Sequence, residues 1–189
     1  MLRVPRRKSI AAVPARKFLL YVSRTCQRHR EDAFDALSLL GTAWSGGKCE
    51  GSAGDVPHLA IVGRDWESSV SSYHDFRFAL VMENTKTAGY ITEKILIAFV
   101  SNSIPIYYGT EEVFQIFNQD AFVFYHVEDP EPALSQIEYL EANRTAYSEM
   151  LAAPIYRDGV HTLEEYFSLH DSVAGGRLKG QIREMMGVY

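Results

Sequence analysis

The stretch from Phe76 to Gly109 constrains the fold more than any other part of the chain. It opens with an unbroken apolar run, residues 78–82, which is typical of a strand buried on both faces of a parallel sheet. A polar turn follows, and an apolar helical face over residues 95–100 leads into a second apolar run, residues 104–108. Strand, turn, helix and strand in this order predict a βαβ unit.

The turn of this unit carries residue types suited to ligand binding. Gly89 permits a tight backbone turn, and Thr92 occupies the position of a helix N-cap. Lys94 then falls in the first helical turn, where a cation opposes the helix dipole unless an anion offsets it, as a bound phosphate would. Glu93 suits the vicinal hydroxyls of a ribose or a sugar, and Asn84 can both donate and accept. A nucleotide-sugar site is predicted, with an ordinary capped helix and solvated charges as the alternative.

Ligands of open parallel sheets bind outside the carboxyl ends of the strands. The polar side chains expected at that edge of the βαβ unit are Glu83, Asn84, Tyr90, Glu93 and Lys94.

A second strand-turn-helix unit is predicted near the start of the chain. Residues 17–22 form its strand, and apolar positions over residues 33–40 form a helix that ends at Gly41. Arg30 lies where this helix begins, and a guanidinium there can hold a diphosphate in a bidentate grip. The neighbouring Arg24, Arg28 and His29 are alternatives for this role, and a solvated arginine is the structural alternative.

Residues 78–109 resemble the signature of the α-1,3/1,4-fucosyltransferases, glycosyltransferase family 10, in which E-N is followed after five residues by Y-[VI]-T-E-K and then by a proline and a glycine. Met82 stands where that family usually has phenylalanine. The resemblance extends from about Lys17 to about Arg157. The matching positions are Glu83, Asn84, Tyr90, Ile91, Thr92, Glu93, Lys94, Ala98, Phe99, Pro105 and Gly109.

The resemblance implies an α/β fold, a Rossmann-like parallel sheet flanked by helices, like the C-terminal half of a GT-B glycosyltransferase. We therefore expect a basic linker or arm at residues 1–16, a GDP-fucose-binding domain at 17–173 and a C-terminal tail at 174–189. The chain is expected to represent only the donor-binding half of the family's two-domain architecture. In that family the general base belongs to the other half.

The implied reaction is inverting transfer of L-fucose from GDP-fucose to an N-acetylglucosamine-containing glycan in α-1,3 linkage. Glu93 is the catalytic candidate, either stabilising the oxocarbenium-like sugar or holding its hydroxyls. No D-x-D motif occurs, so neither a metal nor a cofactor is expected, and cations would carry the charge on GDP. The residues expected to bind the donor are Arg30, Asn84, Tyr90, Glu93 and Lys94.

Two other functions remain open on sequence grounds. One is a non-catalytic GDP-sugar-binding fragment, which would share the donor site. The other is a Rossmann-like oxidoreductase or methyltransferase, which is disfavoured because no G-x-G-x-x-G follows a strand. A phosphate-loop interpretation of Gly46-Gly47-Lys48 also fails, because Cys49 stands where serine or threonine is required.

The chain has two cysteines, Cys26 and Cys49, each just beyond a predicted strand. They could form a disulfide if those strands are neighbours, or remain free thiols. Their sequence contexts resemble those of eukaryotic, lumenal family members, which favours the disulfide and a Golgi location. Asn143 begins an N-glycosylation sequon that would matter in the same compartment. The paired-cysteine segment that usually ends animal-type members is absent from this sequence.

Composition excludes several other classes of protein. With 47% hydrophobic and 23% charged residues, the chain has the make-up of a soluble globular domain. Six of its 19 basic side chains lie in residues 1–17, which leaves 13 basic against 24 acidic residues and makes nucleic acid an unsuitable partner. The basic segment is interpreted as a flexible linker, with a targeting arm or a membrane-surface patch as alternatives. No run approaches the ~20 apolar residues of a membrane span, so membrane association is expected only through an anchor outside this sequence.

Overall fold

The computed structural model describes residues 16–52, 54–61 and 66–167. The strands in these ranges are β1 (Lys17–Ser23), β2 (Ala43–Gly47), β3 (His58–Leu59), β4 (Phe76–Met82), β5 (Ile104–Tyr108) and β6 (Val123–Phe124). The helices are α1 (Arg28–Ser38), α2 (Trp66–Tyr73), α3 (Lys94–Val100), α4 (Val113–Ile116), α5 (Glu131–Ala142), α6 (Arg144–Ala152) and α7 (Val160–Phe167), with a 3₁₀ turn at Gln119–Ala121.

The strands pair in the order β3-β2-β1-β4-β5-β6, and every pairing is parallel. The chain builds outward from β1 to β3 and then returns, so that β4 lies beside β1, with Tyr21 opposite Leu80. In a sheet of this order the crevice at the reversal, outside the carboxyl ends of β1 and β4, is where ligands bind. The predicted fold class, a Rossmann-like parallel sheet flanked by helices, is confirmed.

Strand β4 explains why the sheet needs helices on both faces. Because side chains alternate along a strand, Phe78 and Leu80 join one apolar cluster while Ala79 and Val81 join the other. Helices α1, α5 and α6 cover the first face, and α3 covers the second. All four side chains are buried, as the continuous apolar run predicts.

The structure agrees with the predicted βαβ unit and differs at several boundaries. Strand β5 has its predicted bounds, and β4 starts two residues before the apolar run. Helix α1 starts at Arg28, earlier than its apolar positions, because its first turn is polar, with Arg28 exposed and Arg30 buried. The apolar pattern predicts a strand over residues 121–127, but β6 covers only Val123–Phe124, since it is the edge strand and pairs with β5 alone.

Arg16 belongs to the folded domain, contrary to the prediction that placed it in the basic arm. Its side chain is 9% exposed, and its guanidinium donates to the carbonyl oxygens of His74, Ser101 and Asn102. Burial lowers the pKa of Arg16. The prediction failed because a basic residue beside a proline-containing run gives no local sign of these partners. Residues 1–15 and the predicted tail, 174–189, lie outside the described residues.

None of the helices in the described part of the chain has both the length and the apolar character needed to cross a bilayer.

Candidate functional site

A cavity of about 290 Å³ lies at the carboxyl ends of β1 and β4, at the point where the strand order reverses. Its polar wall comes from the ends of these strands, from the loop after β1 and from the first turns of α1 and α3. Its apolar wall comes from the sheet, α2 and α3, so the cavity reaches from charged groups into a hydrophobic recess. The lining residues include Ser23, Arg24, Thr25, Arg30, Asn84 and Lys94 on the polar side, and Val22, Ile61, Tyr73, Leu80 and Ile97 on the apolar side.

The structure brings together three of the five predicted donor-binding residues. Arg30, Asn84 and Lys94 line the cavity, although they come from three different segments of the chain. Tyr90 is half-buried and Glu93 is exposed, and both lie in the turn between β4 and α3 without lining the cavity. The contact of any of these five residues with a donor stays a prediction.

Arg30 ties the two strand ends together. Its side chain is 4% exposed, and Nη2 donates to the carbonyl oxygen of Met82 at 2.8 Å and to Oδ1 of Asn84. Nη1 makes longer contacts, 3.3 Å to Oγ of Ser23 and 3.4 Å to the carbonyl oxygen of Thr25. Nε is buried and has no hydrogen-bond partner. The predicted bidentate grip is therefore not preformed, because a diphosphate would have to meet Nε or displace one of these partners.

The contact with Arg30 also orients the amide of Asn84. A guanidinium has donors only, so the amide atom that it contacts must be the oxygen. The amide nitrogen of Asn84, an exposed residue, is then left as the donor available to a ligand.

Lys94 is paired with Glu83, a carboxylate predicted to lie at this edge but given no specific role. Nζ of Lys94 donates to Oε2 of Glu83 at 2.8 Å and to Oγ1 of Thr92 at 2.9 Å. The side chain of Glu83 is 0% exposed, whereas that of Lys94 is 30% exposed. Glu83 thus supplies the negative charge that the sequence pattern suggested for a bound phosphate. An acidic residue directly after a buried strand was the signal that could have identified it.

Thr92 is not the N-cap of α3, contrary to its predicted role. Glu93 precedes the helix and makes no side-chain capping bond. The N–H of Thr92 donates to Glu83 at 2.7 Å, and its hydroxyl lies 2.8 and 2.9 Å from the two carboxylate oxygens. A buried carboxylate is costly unless donors surround it, and this requirement takes precedence over capping.

Tyr107 lies near enough to this carboxylate to be affected by its charge, and Gly109 lies against the ring of Tyr107. Burial, and then the charge of Glu83, raise the pKa of Tyr107. Its hydroxyl is buried without a hydrogen-bond partner, and a Cβ at position 109 would collide with it. A glycine at position 109 is therefore required by space, and not by its backbone conformation.

Cys26 and Cys49 form a disulfide, with Cα atoms 5.2 Å apart. The bond joins the loop after β1 to the segment after β2, and these strands are neighbours in the sheet. Glu31 supports the same region, since its carboxylate accepts from the hydroxyl of Tyr21 at 2.7 Å and from the N–H of Gly51 at 2.8 Å. Cys26, Glu31 and Cys49 are the one group of potential metal ligands found among the described residues, and the disulfide uses both sulfur atoms.

Asn143, the predicted glycosylation site, is the N-cap of α6. Its Oδ1 accepts from the N–H groups of Thr145 and Ala146, both at 3.1 Å, and its Nδ2 donates to the hydroxyl of Tyr139 at 3.0 Å. The nitrogen that a glycan would modify is thus already in a hydrogen bond. Glycosylation at this site stays a prediction.

Comparison with known proteins agrees with this geometry. The family model described as "Glycosyltransferase family 10 (fucosyltransferase) C-term" matches residues 15–152. An α-(1,3)-fucosyltransferase of Helicobacter pylori is 31% identical over 136 residues, which cover 71% of this chain and 26% of that protein. A putative fucosyltransferase of Acanthamoeba polyphaga mimivirus is 26% identical over 165 residues, 83% of this chain and 27% of that protein. The chain thus spans about a quarter of the length of these curated relatives.

Solved structures give the same result. A crystal structure of an α1,3-fucosyltransferase with GDP-fucose superimposes with a TM-score of 0.61 at 30% identity, over 74% of this chain and 39% of that one. A structure of an α1,3-fucosyltransferase with GDP gives a TM-score of 0.60 at 29% identity, also over 74% of this chain and 39% of that one. The family model covers most of the described residues, including the cavity and its charged wall. The chain therefore belongs to glycosyltransferase family 10, the fucosyltransferases, and matches their C-terminal domain.

Proposed function

We propose that the cavity between the ends of β1 and β4 binds GDP-fucose, and that the protein is an α-1,3-fucosyltransferase. The observation that carries this proposal is the convergence of Arg30, Asn84 and Lys94 on one cavity in a chain of this family. One of the similar crystal structures is that of an α1,3-fucosyltransferase with GDP-fucose, and this supports the same donor.

The charges around the cavity suit a diphosphate. Arg24, Arg30 and Lys94 line it, and Glu83, the carboxylate paired with Lys94, is fully buried behind it. Cations held near a departing GDP stabilise its developing charge in the way a metal ion would. We therefore propose that donor binding needs neither a metal nor a cofactor.

The proposed reaction is direct displacement with inversion. A hydroxyl oxygen of an N-acetylglucosamine-containing glycan attacks the anomeric carbon of fucose, the bond from that carbon to the β-phosphate oxygen breaks, and the electron pair leaves with GDP. A general base takes the hydroxyl proton, and family resemblance assigns that base to the N-terminal half of the enzyme. Glu93 keeps its proposed role of stabilising the sugar or holding its hydroxyls, as an exposed residue beside Lys94.

A second candidate function is GDP-sugar binding without transfer by these 189 residues alone. It is favoured by one observation: the chain spans about a quarter of its curated relatives, so much of their length has no counterpart in it. General-base catalysis is worth about 10²- to 10⁴-fold in rate, and acceptor positioning adds to this, so residues that supply neither would bind the donor but transfer fucose slowly.

We further propose the Golgi lumen as the site of action. The disulfide between Cys26 and Cys49 supports an oxidising compartment. The sequon at Asn143 is compatible with the same compartment.

Donor binding is tested by thermal unfolding of the purified chain with GDP or GDP-fucose in the presence of EDTA. At a ligand concentration of about 100 times Kd we expect about 2.7 kcal/mol of stabilisation, because the ligand binds only the native state. NAD and S-adenosylmethionine serve as controls and should produce no shift. Stabilisation that disappears with EDTA would contradict metal-free binding, and stabilisation by NAD would favour the oxidoreductase alternative.

Transfer is tested by incubating the chain with labelled GDP-fucose and N-acetyllactosamine, then separating free fucose from fucosylated product. For the isolated chain we expect slow release of free fucose and little product. Turnover onto the acceptor at about 1 per second or faster, a rate ordinary for enzymes, would show that these residues contain a complete catalytic site.

A further inference from the structure

We propose that Glu83 is a positioning residue for the donor site, acting through Lys94. This inference rests on the proposed function, because it assumes that Lys94 contacts the donor. It assigns a role to a carboxylate that no solvent or ligand can reach directly, since its side chain is 0% exposed.

The hydrogen bonds define what Glu83 does. An ammonium group has three donors, and Lys94 uses one on Glu83 and one on Thr92. The ammonium is thereby held at a fixed place on the cavity wall, and one N–H is left for a ligand. A lysine side chain is otherwise flexible, so fixing it in advance lowers the entropic cost of binding.

Thr92 is the third member of this network. Its hydroxyl donates toward the carboxylate of Glu83 and accepts from Nζ of Lys94, so it connects the two charged groups. Its N–H fixes the opposite carboxylate oxygen at 2.7 Å. Glu83 therefore has little freedom to move, and the direction in which it holds Lys94 is defined by the backbone of the turn.

Glutamine at position 83 would break this arrangement with almost no change in volume. One of the two carboxylate oxygens would become an NH₂ group that faces either the ammonium of Lys94 or the N–H of Thr92, both of which are donors. In either orientation Glu83→Gln removes the negative charge that holds Lys94 and turns one acceptor of the network into a donor, while it keeps the size of the side chain.

The test is a double-mutant cycle on GDP affinity, measured by titration calorimetry in EDTA. We expect Lys94→Ala and Glu83→Gln each to weaken binding about 10-fold or more, in keeping with the loss of a charged hydrogen bond. In the Lys94→Ala background Glu83→Gln should change Kd by less than about twofold, because coupled residues are not additive. Glu141→Gln is the matched control, since it breaks the ion pair with Arg77 away from the cavity and should leave Kd unchanged.

Thr92 provides a second variant pair in case Glu83→Gln does not fold. Thr92→Val removes the bridging hydroxyl and should weaken GDP binding about threefold or more. Thr92→Ser keeps the hydroxyl and should bind GDP with the wild-type Kd. If the network served only the stability of the fold, Thr92→Val would lower the melting temperature with or without Lys94, and the Kd for GDP of the folded variants would not show this difference between valine and serine.

The possible failures separate the two proposals. If Lys94→Ala weakens GDP binding and Glu83→Gln or Thr92→Val does not, the positioning role is wrong and the donor site stands. If Glu83→Gln weakens binding equally in the presence and absence of Lys94, it acts independently of Lys94 and the inference is overturned. If the wild type binds no GDP, or Lys94→Ala binds normally, the assignment of Lys94 to the donor fails, and this inference fails with it.

Discussion

Each end of the sheet buries an arginine against backbone carbonyl groups, but only one of these two arginines lines the cavity. At the amino ends, Nε of Arg16 donates to His74 at 2.8 Å and Nη1 donates to Asn102 at 2.6 Å, while Nη2 contacts the carbonyl oxygens of His74 and Ser101. Every nitrogen of this guanidinium has a protein partner. At the carboxyl ends, Nε of Arg30 is buried without one.

Burial of an arginine therefore does not by itself indicate a site. Arg16 holds the start of β1 against the starts of β4 and β5 and does not line the cavity. Arg30 borders the cavity and has an unused donor. One of its hydrogen-bond partners, Asn84, is exposed and can be reached by a ligand. The unused donor together with the cavity makes Arg30, and not Arg16, the candidate for donor binding.

Arg16→Ala should produce the largest change in stability. It leaves the carbonyl group of Ser101, in a buried contact, and those of His74 and Asn102, in partly buried contacts, without their donor, and a buried acceptor left unpaired costs about 1 to 3 kcal/mol. We expect the free energy of unfolding to fall by about 3 to 5 kcal/mol, with three acceptors affected. Urea denaturation measures the loss, and GDP affinity of the folded protein should be unchanged. A clear rise in Kd for GDP would break the comparison.

The disulfide should give the next largest effect. The cysteines are 23 residues apart, and closing a loop of that length stabilises a domain by about 3 kcal/mol through the entropy of the unfolded chain. We expect Cys26→Ser with Cys49→Ser to lose about this amount in urea denaturation. The wild type in dithiothreitol is the control and should match the variant. Equal stability of the oxidised and reduced forms would contradict this prediction.

Arg30→Lys should affect binding through geometry, because it keeps the charge. An ammonium cannot reproduce the contacts to Met82, Asn84 and Thr25, so neither Asn84 nor the loop after β1 stays oriented. We expect GDP affinity to fall by about 1.5 to 3 kcal/mol in titration calorimetry. Arg16→Lys at the opposite end is the matched control. If both lysine variants weakened GDP binding equally, the two arginines would not differ in the way described.

Gly109→Ala should have the smallest effect, again at the carboxyl ends. Its Cβ would press on the hydroxyl of Tyr107, and overpacking of this size costs about 1 to 2 kcal/mol. Thermal unfolding measures this loss. Adding Tyr107→Phe removes the hydroxyl, which is the atom nearest to the new Cβ, but leaves the ring carbons Cζ and Cε1 at 2.7 and 2.9 Å from it, so it should restore only part of the stability. A double variant no more stable than Gly109→Ala would show that the collision is not the cause.

The parts of the fold that depend on local pattern could be predicted from the sequence. The apolar runs of β4 and β5, with a glycine-containing turn between them, identified the βαβ unit, and the polar turn identified the edge of the sheet where the cavity lies. Three of the five donor candidates, Arg30, Asn84 and Lys94, line that cavity.

The remaining features depend on contacts between distant segments. Arg30 and Asn84 are 54 positions apart, and Arg16 and Asn102 are 86 apart, so no local window reveals either contact. Glu83 was visible at the edge, but its burial depends on the tertiary structure, and the local pattern therefore suggested a phosphate as the partner of Lys94. Thr92 followed a capping pattern that the buried carboxylate overrode.

The location of bound GDP tests the central claim most directly. A crystal structure of this chain with GDP, grown in EDTA, should place the diphosphate in the cavity between the ends of β1 and β4. We expect a phosphate oxygen at about 2.7 to 2.9 Å from Nζ of Lys94, the distance of a charge-assisted hydrogen bond, and a second phosphate contact from Arg30. GDP bound elsewhere, with Arg30 and Lys94 keeping only their protein partners, would contradict the account.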